Sequence, residues 1–433
     1  MQSALEGQTP PRTHFSRRWP FLLNASILVA LLAASSAPTP LYSIYQAQWQ
    51  LSSLTVTVIF SAYALALLIA LLTTGTLSDH IGRRPVLITA LALQIVSMAI
   101  FVIADGAGTL IVARVLQGIA TGAATSSAGA ALLDLENPAR PGSSALANSI
   151  APVAGMATGV ISTTALIHLV PGPTVTVYLL LMALFAAQAL ALAFTPETTQ
   201  LRPGALQSMR PHLALPPAAR RALALNSAGI IAVWALGGFY SSLGPAFTRL
   251  ISPDGPQSAG GLVFFTLTST AALTVWATRR LPALTAALLG SSAVAPAMAL
   301  SITALHFSSP ALLFTGAALA GFSFGAVSQG ALHSVLATVS AQERSGTLAS
   351  YYVLSYLAMS LPAIAAGALA TRYGLSTTAL FYSSTLAILA IGAAAALAAA
   401  MRTHPRTAKA APAAPALTPS ASPHASRLLT RHP

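Results

Sequence analysis

The stretch "GTLSDHIGRRPVL", Gly75 to Leu87, decides how this chain is read. Charged residues make up 7% of the 433 residues, yet Asp79, Arg83 and Arg84 stand together here with His80, between two long apolar runs. Gly75 is expected to let two helices approach closely, and Gly82 to permit a tight turn. An Asp can accept hydrogen bonds at a helix N-terminus, and arginines can pair with acids across an interface. Such a cluster would lock two helix bundles and could be broken and remade. A short basic loop that only anchors topology is the alternative that spacing leaves open.

Outward from this loop the chain is apolar: it is 55% hydrophobic, with a mean hydropathy of +0.73. A soluble domain carries about a quarter charged residues. Apolar runs of roughly 20 residues recur throughout, each long enough to cross a bilayer core of about 30 Å. In lipid the backbone must satisfy its own hydrogen bonds, which leaves a helix bundle or a closed barrel. The runs are rich in Ala and Leu and lack the alternation of barrel strands. The expected fold class is therefore an all-α membrane protein. Twelve spans are read at about 21–43, 52–77, 85–104, 109–132, 143–167, 174–195, 222–246, 258–277, 282–304, 310–337, 346–371 and 376–401.

The basic residues set the topology. With the N-terminus inside, the expected cytoplasmic segments hold every one of the 21 Lys and Arg residues except Arg249, Arg372 and Arg114. That asymmetry obeys the positive-inside rule. It also accounts for the net charge of +13 without a nucleic-acid partner. The location expected is a bacterial-type cytoplasmic (inner) membrane, with both termini cytoplasmic. "SRRWPFLLNASILVALLAASSA" has the layout of a cleaved signal, twin Arg17–Arg18 included. Its apolar run continues into "PTPLY", however, and is read as a retained first helix. The chain divides into a cytoplasmic segment 1–20, a six-helix bundle 21–195, a cytoplasmic linker 196–221, a second bundle 222–401 and a disordered tail 402–433. The halves echo each other: "LQGIATGAA" from Leu116 and "LAGFSFGAV" from Leu319 both carry G-x-x-x-G, and "RPGS" at Arg140 returns as "RSGT" at Arg344. Repeated halves suit a transporter that rocks about a midplane site.

The pattern G-x-L-x-D-x-x-G-R-R, here Gly75, Leu77, Asp79, Gly82, Arg83 and Arg84, resembles the signature loop of the major facilitator superfamily. With twelve spans divided six and six, the resemblance covers about 20–401 and extends to the twelve-helix drug and metabolite proton antiporters. It implies two pseudo-symmetric six-helix bundles. It implies that Asp79 caps the eleventh helix across the interface and that Arg83 pairs with an acid at the inner end of the fourth, where Asp134 and Glu136 stand. The fourth span, "RVLQGIATGAATSSAGAALLDL", resembles the family's R-x-x-x-G motif. Arg114, Gln117, Thr121 and Thr125 share one helical face, while Gly118, Gly122 and Ser126 make a small-residue face. A lone intramembrane Arg is costly and is a functional hypothesis by default, the alternative being that Arg114 sits shallow and snorkels outward; in proton-coupled members the matching Arg is implicated in proton or substrate handling. The fifth span, "ANSIAPVAGMATG", is a degraded form of the antiporter motif. Its stripe Ala147, Ala151, Gly155 and Gly159 also fits plain helix packing.

By this topology all eight acids lie in loops or at span ends. The lack of a mid-membrane carboxylate weakens a simple carboxylate proton relay and disfavours a strongly cationic substrate. His333 is a titratable candidate late in the tenth span, with His168 and His306 near outer ends. Cavity candidates are Asn24, Ser35, Tyr42, Tyr63, Asn148, Trp234, Tyr240, Gln329, Tyr352 and Tyr356; Tyr42 equally suits an interfacial belt. Pro38 and Pro40 are read as gating bends. No Walker loop, nucleophile triad, cysteine or metal-ligand spacing appears, so no cofactor and no enzymatic activity is expected. The expected function is alternating-access secondary transport, with proton-coupled efflux of a small organic drug or metabolite ahead of proton-coupled uptake of a sugar or organic acid. A transport-inactive sensor is the remote alternative. The expected partners are a small-molecule substrate, protons and the lipid bilayer, and the expected working unit is a monomer.

Overall fold

The computed structural model describes residues 18–211, 213, 215–256, 258–340 and 343–403. Among these residues the chain is all-α, with twelve helices long and apolar enough to cross a membrane. They are α1 (Arg18–Trp49), α2 (Ser53–Thr74), α3 (Arg83–Val102), α4 (Ala107–Asp134), α5 (Ser143–Leu169), α6 (Pro173–Ala193), α7 (Pro217–Ser242), α8 (Ala259–Thr278), α9 (Ala283–His306), α10 (Pro310–Leu336), α11 (Arg344–Tyr373) and α12 (Leu375–Thr403). Short helical stretches add Ser78–Ile81, Ala205–Ser208 and Gly244–Ile251. The segment before Arg18 and the tail beyond Thr403 lie outside the described residues, so the expected N-terminal segment and disordered tail are not addressed.

Two hydrophobic cores form, one among α1–α6 and one among α7–α12. Each interlocks with the other half through one buried residue: Ala363 of α11 joins the first core, and Val160 of α5 joins the second. Lipid provides no hydrophobic force between helices, so small residues that allow close backbone approach hold such bundles together. Gly118 and Gly122 press α4 against α2: a Cβ at Gly122 would meet the Leu67 carbonyl oxygen at 2.6 Å, and one at Gly118 would strike the Tyr63 carbonyl. Gly321 and Gly325 press α10 against α8 in the same way, with Gly325 facing the Ala271 carbonyl at 2.6 Å. The two G-x-x-x-G repeats therefore make equivalent crossings in the two halves. In α5, Gly155 and Gly159 lie on Val29 and Ala33 of α1, and the Ser36 hydroxyl donates to the Met156 carbonyl at 2.8 Å.

The first helix is longer than the sequence indicates and is broken. A turn at Ala37 separates Arg18–Ser36 from Pro38–Trp49. Proline has no N–H, so Pro38 and Pro40 cannot donate to the carbonyls four residues earlier, those of Ala34 and Ser36. The seventh span ends at Ser242 rather than 246, and the chain turns into Gly244–Ile251.

The bundles pack α2 against α11 and α5 against α8, with their hydrogen bonds in the half opposite the signature loop. Two hydrogen bonds cross between them among the described residues: Ser61 Oγ to the Ser360 carbonyl at 3.3 Å, and Leu54 N to Thr371 Oγ1 at 3.3 Å. Gly367 of α11 lies against Thr57 and Leu54, and Gly261 of α8 against Thr164 and Pro40. We call this the far end and the Asp79 side the loop end.

Candidate functional site

Arg114 lies in the third turn of α4 and is fully buried. Its Nη1 donates to the Ser35 carbonyl at 2.8 Å and to Gln117 Oε1 at 2.7 Å. Gln117 Nε2 donates in turn to the Ala34 carbonyl at 2.9 Å. Ala34 is the residue whose carbonyl Pro38 deprives of its helical donor. Pro38 thus does more than bend the helix: it frees the Ala34 oxygen on which Gln117 is fixed, next to the Ser35 oxygen that holds Arg114. Thr121, one turn on, receives a hydrogen bond from Gln94 Nε2 at 2.8 Å, tying α3 to the same face of α4.

The guanidinium sits over the Tyr63 ring, 4.7 Å from its centroid. Such a cation–π contact is strong when desolvated. Tyr42 stands beside Arg114 and is buried, so it belongs to the interior and not to the interfacial belt. Tyr63 packs on Tyr356 and Met359 of α11, which carries the cluster across the bundle boundary. There the rings of Tyr356 and Trp234 meet edge-on at 5.2 Å, Trp234 meets Phe324 at 5.5 Å, and Tyr352 lies 6.0 Å from Tyr356. Arg114 Nε and Nη2 and Trp234 Nε1 are buried without a hydrogen-bond partner. Buried unpaired donors are costly, so these three nitrogens are the unsatisfied donors of the cluster.

The other named residues fall elsewhere. Asn24 bonds within α1 to the Pro20 carbonyl at 2.8 Å, and Asn148 ties α5 to the Gly129 carbonyl of α4 at 3.2 Å. Tyr240 bonds Ser301 at 2.8 Å inside the second bundle, and Gln329 accepts from Thr278 at 2.9 Å. His333 is exposed in the last turn of α10 and does not join the Arg114 cluster. His168 and His306 are exposed. Phe324 had no sequence signal beyond its place beside Gly325 in the tenth span.

At the loop end, Asp79 forms an ion pair with Arg83, one turn on. Its contact in this conformation is therefore local, and the cap on α11 that the resemblance implies is not among the bonds of the described residues. Arg83 Nε also reaches Asp134 Oδ2 at 3.3 Å, and its Nη1 donates to Ser78 Oγ at 2.7 Å. Glu136 turns to the start of α5 instead, accepting from Gly142 N at 2.5 Å and Ser144 N at 3.2 Å. Gly75 does not mediate a helix approach, because the nearest atom to a Cβ there is its own helix's Leu71 oxygen. Gly82 does make the turn, at φ +104°, and a Cβ there would meet Glu197 Oε2 at 2.7 Å. Glu197, a linker residue, accepts from Arg83 N at 2.9 Å and Arg84 N at 3.0 Å. Arg84 Nη1 donates to the Thr195 carbonyl at 3.2 Å, and Thr198 Oγ1 to Asp134 Oδ2 at 3.2 Å. The linker continues over the loop through Thr76 Oγ1 to the Ser208 carbonyl at 3.1 Å and His80 Nδ1 against the Pro203 carbonyl at 3.0 Å.

The two-bundle fold has counterparts among solved transporters. The fold is similar to a bacterial homologue of the human lysosomal transporter Spinster, in an inward-facing and unoccupied conformation, with a TM-score of 0.72 and 16% identity over 89% of this chain and 97% of that one. It is similar to the nucleoside transporter NupG, with a TM-score of 0.65 and 13% identity over 88% and 98%. It is also similar to the human organic anion transporter MFSD10, with a TM-score of 0.64 and 19% identity over 90% and 100%. No curated protein matches the sequence significantly. The family profile described as Major Facilitator Superfamily matches residues 22–361, and the chain belongs to that superfamily of membrane transporters.

Proposed function

We propose that this transporter is a proton-coupled exporter of a small organic compound, working by alternating access about the Arg114 site. The observation that carries the reading is the placement of Arg114. A buried guanidinium with two unpartnered nitrogens borders an aromatic seam between bundles, and the described hydrogen bonds between those bundles lie in the half away from the loop end. An amphipathic site with one fixed cation suits neutral or weakly anionic molecules with an aromatic or apolar body. Coupling to protons and export rest on the resemblance carried by Arg114, Gln117 and the fifth-span motif. The loop end is assigned to the cytoplasm by the positive-inside rule. The two bundles, 21–195 and 222–401, are the rocking units, and the protein works as a monomer in a bacterial-type inner membrane.

Arg114 also favours a second reading, proton-linked uptake of an organic acid, because a guanidinium pairs carboxylates in bidentate fashion. The solved organic anion transporter of similar fold is compatible with it. Purified protein in liposomes loaded with a pH-sensitive dye separates the two. Proton release from the lumen on addition of a compound to the outside supports exchange, and co-entry of protons supports uptake. No proton movement with any transported compound would remove proton coupling.

A further inference from the structure

A cavity lies away from the Arg114 cluster. It has a volume of about 460 Å³ and runs between α7, α11 and the linker. Leu223 and Ile231 of α7 form one wall, and Val353, Leu354 and Leu357 of α11 the other. Leu213 and Leu215 of the linker roof it at the loop end. Its only polar lining residue is Ser350. The groove opens outward: Leu361 at its deep end is 56% exposed, and so is Leu213 at its mouth. It therefore faces the surface that the spans present to lipid.

The mouth is basic. Arg210 precedes Leu213 by three residues, Arg220 and Arg221 open α7 just before Leu223, and Arg344 opens α11 less than two turns before Ser350. All four are exposed, and none takes part in an ion pair among the described residues. The one acid nearby, Glu343, is turned to Ser340, whose backbone N–H and hydroxyl donate to it at 3.1 and 2.8 Å. The linker itself has the composition of an interfacial segment. Leu201, Leu206 and Leu213 are exposed and interleaved with Arg202 and Arg210, the pattern of a strand of chain lying at the headgroup level.

We propose that this groove is a binding site for an anionic phospholipid, with an acyl chain along α7 and α11 and the phosphate on Arg210, Arg220, Arg221 and Arg344. An apolar channel accepts any acyl chain, but the unpaired arginines at its mouth select a negative headgroup. The occupant bridges two parts of the molecule. The linker is pinned to the first bundle through Thr76 and His80, whereas α11 belongs to the second. A lipid seated there fastens the two at the loop end. The inference does not depend on which compound is transported or in which direction.

Native mass spectrometry of the detergent-solubilised protein with added phosphatidylglycerol or phosphatidylcholine of identical chains tests it. The unsubstituted protein is expected to retain phosphatidylglycerol preferentially and to melt at a higher temperature with it than with phosphatidylcholine. Removing charge through Arg210→Gln, Arg220→Gln and Arg221→Gln is expected to weaken that retention roughly fivefold per arginine. Val353→Trp, which fills the groove and leaves the arginines, is expected to lower retention of both lipids. Equal retention and equal melting of the unsubstituted protein with the two lipids overturns the headgroup site, whatever the variants do. Retention of both lipids unchanged by Val353→Trp overturns the groove.

Discussion

Glu197 accepts the backbone N–H of Arg83 at 2.9 Å, so an acid of the linker caps the first turn of α3 across 114 residues of sequence. The same carboxylate takes Arg84 N at 3.0 Å. A helix start that Gly82 leaves without a local side-chain cap is thereby completed from the other end of the bundle. Glu197→Ala is expected to cost about 1 kcal/mol, as loss of an N-terminal cap does, seen as a lowered thermal midpoint in detergent. A midpoint unchanged from the parent would mean the cap contributes nothing.

Asp79→Asn removes one of the two carboxylates paired with Arg83, at a half-exposed position, where an ion pair contributes at most about 1 kcal/mol. The present conformation is expected to keep its thermal stability. If Asp79 caps α11 in the opposite conformation, the population shifts toward the one seen here. The chain has no cysteine, so a single cysteine introduced at the loop end reports accessibility without background. Identical labelling rates with and without the Asp79→Asn substitution would contradict the clasp.

Arg114→Ala is expected to abolish transport while the protein elutes as a single folded species. Each lost hydrogen bond from the charged group is worth roughly tenfold or more. Arg114→Lys is expected to fail as well, since an ammonium lacks the planar fork that reaches Ser35 and Gln117 while spreading over the Tyr63 ring. Counterflow in liposomes measures both, and full activity in either variant removes Arg114 from the mechanism.

Gly122→Val and Gly325→Val are expected to destabilise by similar amounts, about 1–3 kcal/mol as overpacking does. The added carbon meets a backbone carbonyl in each case, Leu67 for one and Ala271 for the other. Thermal unfolding of the two variants side by side tests the equivalence of the two crossings.

At the far end, Gly367→Val places a side chain against Thr57 and the Leu54 backbone. It is expected to pry the bundles apart there and favour the opposite conformation. Slower labelling of a cysteine introduced at the loop end would show the shift.

Much of this was legible in the chain. The twelve spans, the charged loop and the burial of Arg114 follow from hydropathy and from the expense of a charge in lipid. The G-x-x-x-G pairs announced close crossings because glycine is the residue that leaves room for a facing backbone. Contacts between distant segments were not legible. Nothing in "PETT" marks Glu197 as a cap for α3, since its partner is a backbone N–H that any sequence would supply. Tyr42 stayed open between belt and cavity because its ring suits both; the break at Ala37, which turns the second half of α1, decides it. Gly75 was expected to serve a neighbouring helix, but the chain leaves α2 there by a turn of its own. Trp234 and Tyr356 meet only because α7 and α11 are rotated toward each other, and no periodicity within either helix sets that rotation.

The solitary guanidinium in α4 has an electrical corollary. Among the described residues the helix interiors hold no other formal charge. Within the helix interiors a transmembrane voltage therefore acts on Arg114, at about 2.3 kcal/mol per 100 mV for a full crossing. A bound monoanion cancels that charge. Current would then accompany the empty return step and vanish from the loaded one.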